Sequence, residues 1–175
     1  MQTLTGPFNA VRQGAYQIGE FRVFQDSDGA YAIYWERQAT ETTTHDVVTS
    51  ALTGTYPVGD WAAPVPVPGL VNTDDHHEGF PWPAELPDGR HLFFVRGPKV
   101  QWSETVPIFD STWTGSAWGA PAKVLEPELS AAQGAIFMFG LPAVSAGDFG
   151  VELFFVYIVQ HGSRLDFQIG VMPRL

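Results

Sequence analysis

Three times in this chain a short apolar run meets a turn, and a second apolar run follows at once. The middle copy, residues 79–96, reads GFPWPAELPDGRHLFFVR, with Pro87-Asp88-Gly89 as the turn. Asp-Gly between two strand-like runs is a strong hairpin signal, because glycine takes the positive φ that a tight turn requires. The same plan appears upstream as FRVFQDSDGAYAIYWER and downstream as LPAVSAGDFGVELFFVYI. A sheet-forming unit repeated at a near-constant period points to an array of small sheets.

The repeat is positional as well as compositional. Asp28-Gly29 recurs as Asp88-Gly89, and Ala32-Ile33-Tyr34-Trp35 as Leu92-Phe93-Phe94-Val95, both 60 residues on. Thr53-Gly54 recurs as Thr114-Gly115, 61 on, and Trp61 with Pro64 as Trp118 with Pro121, 57 on. Strands are expected in the first copy at 16–24, 30–35, 46–52 and 61–68, with the Thr-rich, charged stretch 36–44 as a loop. The prolines of 61–68 remove ladder donors and assign that strand to a sheet edge. The second copy places strands at 81–86, 91–95, 105–112 and 118–124. The third gives 134–144, 152–159 and 165–171, one strand fewer. Residues 1–5 alternate like a strand without a hairpin partner, and 126–132 is the only stretch of helical composition.

The run WAAPVPVPGLVNTDDHHEGFPWPAELPDGRHLFFVRG resembles a TolB-type, WD-repeat-like β-propeller blade. Trp61, Pro64, Asn72, Thr73, Glu78, Gly79, Pro83, Pro87, Asp88, Gly89, Phe93 and Phe94 occupy the places of that pattern, while Glu85-Leu86 departs from its usual aromatic and serine. The resemblance implies an all-β, propeller-like fold of three four-stranded antiparallel blades, at about 16–68, 79–125 and 134–175. Three blades do not close a ring. A head-to-tail pair of chains forming six blades, with residues 1–6 as the closing strand, resolves the difficulty; an open arc within a larger particle such as a virion is the rival.

At 175 residues the chain fits one domain. Nine basic against nineteen acidic residues, a net charge of -10, disfavour nucleic acid and anionic membrane surfaces as partners. Without cysteine, disulfides and thiolate metal sites are excluded. No apolar run approaches a membrane span and no signal peptide is visible. A soluble protein follows, its compartment open, with settings outside the cell or on a virion compatible.

The densest polar group is Asn72-Thr73-Asp74-Asp75-His76-His77-Glu78. Carboxylates beside imidazoles bind divalent cations or exchange protons. The next copy offers Glu128-Leu129-Ser130-Ala131-Ala132-Gln133-Gly134 instead, so Asp74, Asp75, His76 and His77 are not needed to build a blade. Only the position before glycine stays polar, as Gln13, Glu78 and Gln133, which makes Glu78 a structural residue. Adjacent histidines on an extended backbone point to opposite faces, which disfavours a shared metal. Trp82, Trp102 and Trp113 have no counterpart in the first copy, and exposed rings beside carboxylates or amides suit the apolar face of a sugar. Trp102, in a polar stretch, is the foremost; packing against its own blade is the plain alternative. Glycoside hydrolysis needs two carboxylates across a pocket, and Asp28, Asp46, Asp74, Asp75, Glu104 and Asp110 supply candidates without a selecting pattern. No nucleophile elbow, phosphate loop or zinc-helix motif is present. The expectation is a non-enzymatic, cofactor-free, oligomeric binding or adhesion module for carbohydrate. A structural or host-attachment subunit and a glycan-cleaving fragment stand as alternatives.

Overall fold

The computed structural model describes residues 17–40, 43–98, 106–126, 135–147, 150–161 and 163–173. Every regular element among them is a β-strand, arranged in three antiparallel sheets. The first sheet contains β1 (Gln17–Gln25), β2 (Tyr31–Gln38), β3 (His45–Thr53), β4 (Asp60–Trp61) and β5 (Val65–Pro66). Its order is β1-β2-β3-β4, and β5 also pairs with β3. The second contains β6 (His76–Leu86), β7 (Gly89–Pro98), β8 (Ile108–Thr112) and β9 (Ala122–Leu125), in that order. The third is β10 (Ala135–Gly147), β11 (Gly150–His161) and β12 (Arg164–Pro173), one strand short as the sequence foresaw. Among the described residues no sheet closes on itself. Residues 1–6, 127–134 and Trp102 lie outside the described residues.

Three expectations are revised. The stretch 36–44 was expected to be loop, yet β2 continues to Gln38, and Glu36, Gln38 and Thr44 are buried. Partners make this tolerable: Glu36 holds the His45 ring, and the Gln38 side-chain amide donates to the Thr43 carbonyl at 3.0 Å. The strand expected at 61–68 is broken into two-residue pieces around Pro64, each pairing with β3. The strand expected at 81–86 begins five residues earlier, so that His76 and His77 both belong to β6.

The hairpins share a device. A register shift interrupts β1–β2 between Ile18 and Phe21, β6–β7 between Gly79 and Trp82, and β10–β11 between Gly140 and Ala143. In the second sheet Phe80 takes a positive φ of 52° inside that irregularity. Counted from the bulge and from the pair that closes the turn, Trp35 corresponds to Phe93 and Tyr31 to Gly89, and Phe93 to Phe154 and Gly89 to Gly150. The first correspondence is 58 residues, correcting the 60 read from the sequence, and the second is 61, because the first turn is three residues longer than the second.

These correspondences identify faces, since neighbouring residues on a strand point oppositely. Between the first two sheets, Tyr34, Ala32 and Val47 pack with Leu92, Phe94 and Trp118. An even correspondence makes these like faces of the two sheets. Between the second and third sheets, Phe93, Val95 and Ile108 pack with Leu153, Phe155 and Tyr157; an odd correspondence makes these unlike faces. A ring of blades would repeat one kind of contact throughout, and here there are two. The outward face of the first sheet carries its own cluster, Ile33, Trp35, Val48 and Trp61.

The link from the first sheet to the second is pinned by the far end of the second. Trp118 N donates to the Pro68 carbonyl at 2.9 Å and Leu70 N to the Trp118 carbonyl at 3.1 Å. Gly69 sits between them at φ 106°, where a Cβ would run into the Trp118 backbone.

Candidate functional site

The two contacts each hold a polar group, at opposite ends of the second sheet. The first group lies where β6 begins. Glu78 is fully buried and accepts from Arg96 Nε at 2.9 Å, from the Thr73 hydroxyl at 2.8 Å and from Thr73 N at 3.3 Å. Burial pushes its carboxyl up to about 7, against the lowering effects of Thr73 and Arg96. Arg96 also donates to the carbonyls of Val71 (2.7 Å) and Leu70 (3.2 Å), and its guanidinium lies over Phe94 and Phe109. Asn72 clamps β3 with both amide atoms, accepting from Val47 N at 2.8 Å and donating to Val47 O at 2.9 Å.

The sequence-predicted quartet divides around this group. Asp74 and Asp75 are exposed in the turn before β6. Asp75 accepts from His76 Nδ1 at 2.8 Å, a contact that lowers its carboxyl. His77 is buried; its Nδ1 accepts from His45 N at 2.9 Å, and the two rings meet edge to face at 4.7 Å. The histidines thus diverge, as the alternation of a strand requires. Asp46 lies beside them with its carboxyl raised by burial. Among the described residues no three histidine or carboxylate side chains converge as a metal site. This group joins the first sheet to the second and has the connectivity of a structural clamp.

Trp82 and Trp113 are both partly buried. Trp82 packs into the cluster between the second and third sheets, with the Arg22 guanidinium 4.8 Å above its ring. Trp113 packs between the first and second, edge-on to Trp118 at 5.2 Å. Trp102 lies outside the described residues.

The second polar group borders a cleft. Leu86, Pro87, Asp88, His91 and Asp110 of the second sheet and Val151 of the third line a space of about 270 Å3. His91 is the centre of the group: Nδ1 faces Asp110 Oδ1 and Oδ2 at 3.0 and 2.8 Å, and Nε2 faces Asp88 Oδ1 at 3.1 Å. The His91 side chain is only 7% exposed, whereas that of Asp88 is 75% exposed. Burial raises the Asp110 carboxyl, and His91 opposes that rise. A ring protonated on both nitrogens donates to both carboxylates at once.

The other sheets provide the control. The positions of His91 are Ile33 and Glu152, and those of Asp110, opposite Phe93, are Val48 and Val171. A sheet of this kind therefore forms without the Asp-His-Asp group. Sequence reasoning had Asp110 as one of six unselected carboxylates, counted Asp88 only as a turn residue and passed over His91. One signal was available: a histidine opening an apolar run, two residues past Asp-Gly, with no histidine at the matching place of the other copies. Compared with models of protein families and with curated proteins, the chain matches none.

Proposed function

We propose that the chain is a non-enzymatic binding module that takes a hydroxyl-rich ligand, carbohydrate in class, in the cleft between the second and third sheets. The observation that carries the reading is the Asp88-His91-Asp110 group, present in one sheet of three and placed at the mouth of a cleft. Its chemistry suits hydroxyls. Asp88 offers free lone pairs to O–H donors, the half-buried Asp110 holds the imidazole still, and Leu86, Pro87 and Val151 supply an apolar wall. Both carboxylates already share one imidazole, so they do not form the facing pair that glycoside cleavage uses. That favours binding over hydrolysis.

A glycan array probed with the purified chain tests this, followed by calorimetry on any hit. Asp88 is exposed, so Asp88→Asn preserves the fold while weakening a hydroxyl acceptor. The expected result is a signal reduced at least ~10-fold by Asp88→Asn and by Asp110→Asn, about the loss of one charge-assisted hydrogen bond. An array without hits, or hits indifferent to both variants, overturns the reading. Release of reducing sugar from a bound glycan would replace it with the hydrolase.

A further inference from the structure

The last sheet leaves a face uncovered. On β12, Phe167, Ile169 and Val171 alternate along one side and are 70%, 76% and 50% exposed. They share that side with Val156 and Phe154, which lie opposite Ile169 and Val171 in the register. The matching pairs in the second sheet are Val95 with Ile108 and Phe93 with Asp110. Ile108 is 0% exposed, because the third sheet lies on it. The third sheet therefore turns to solvent the same face that the second sheet buries.

We infer that a second copy of this chain covers this face, third sheet against third sheet across a two-fold axis. A head-to-tail partner would have to bring the opposite kind of face, and all three sheets of a copy have that face occupied in the two internal contacts. The outward face of the first sheet is of the right kind for a like-on-like contact, but Ile33, Trp35 and Val48 at its centre are already buried. The third sheet is left to pair with itself, and the contact between the first and second sheets shows that like faces pack within this architecture.

Charge permits the arrangement. Of the described side chains on this face only Glu152, at one end, is charged, in a chain of net charge -10. Arg164 and Asp166 point the other way and pair with each other at 2.8 Å. Area sets its strength. Ten residues of β12 at ~3.4 Å each, across three strands ~4.8 Å apart, give a face of roughly 500 Å2. Two such faces bury about 1,000 Å2, the lower limit for a specific contact, so the dimer is concentration-dependent. Long-range repulsion between two acidic copies is screened by salt, so the dimer strengthens as ionic strength rises.

Sedimentation of the full chain across a concentration series, at low and high salt, tests this. The expected result is a monomer–dimer equilibrium that shifts toward dimer with salt, and a dissociation constant raised at least ~10-fold by Ile169→Glu. Phe21→Glu adds the same charge to the exposed rim of the first sheet and leaves the equilibrium unchanged. Because both side chains are exposed, unchanged circular dichroism is expected for each variant and separates loss of contact from loss of fold. A chain that stays monomeric throughout, or a dimer broken by Phe21→Glu and not by Ile169→Glu, overturns the inference.

Discussion

Replacing Glu78 with glutamine should change how stability depends on pH more than it changes stability at any one pH. The carboxyl is fully buried, and burial outweighs Arg96 and Thr73 in moving it from 4.5 to about 7. A carboxyl whose folded value is raised gives its full contribution below the unfolded value, and loses it as pH climbs through the folded one. At ~1.36 kcal/mol per pH unit, the rise corresponds to about 3 kcal/mol lost between pH 4.5 and pH 8. Glutamine does not titrate. It still accepts from the Thr73 hydroxyl, while Arg96 keeps the carbonyls of Leu70 and Val71. Wild type and Glu78→Gln are compared by urea unfolding followed through tryptophan fluorescence, at half-unit steps from pH 4.5 to pH 8. The wild type should lose about 3 kcal/mol relative to the variant across that range, other titrating groups cancelling in the difference. A difference flat to within ~0.5 kcal/mol would refute the reasoning. A difference of opposite slope would mean that the Arg96 ion pair, and not burial, governs this carboxyl.

Two further outcomes follow from the packing. Asn72→Ala removes both hydrogen bonds to the Val47 backbone and leaves a partly buried N–H and C=O on β3, a cost of about 2–3 kcal/mol in urea unfolding. Phe94→Ala empties a fully buried ring site between the first and second sheets, at about 3–5 kcal/mol by the same measurement.

The hairpins were legible because their signals are local. Asp-Gly and Gly turns with flanking alternation place β6–β7 and β10–β11 from a few residues each, and the count of strands in the third sheet follows from the repeat. Burial of polar residues was not legible. Glu36 and Gln38 read as loop because their partners, His45 and Thr43, become neighbours only after the chain reverses. The same limit hid the candidate site. Asp88 and His91 lie within one hairpin, but Asp110 joins them only through the pairing of β7 with β8, and Val151 only through the packing of the third sheet. Aromatic surplus did not say where Trp82 and Trp113 lie: both are partly buried against the clusters between sheets, and a tryptophan packed there and one offered to a sugar are the same letter.

The stitch between Gly69 and Trp118 ties together residues almost fifty positions apart, on either side of β6, β7 and β8. The connection out of the first sheet therefore cannot settle until β6, β7 and β8 have formed and delivered Trp118. Such long-range closure is slow, because loop entropy is spent before the contact repays it. The two sheets accordingly acquire their final arrangement together, late and as one cooperative unit. A nascent chain that has emerged only as far as the first hairpins holds an unfinished sheet with its inner face, Tyr34 and Val47, still waiting for its cover.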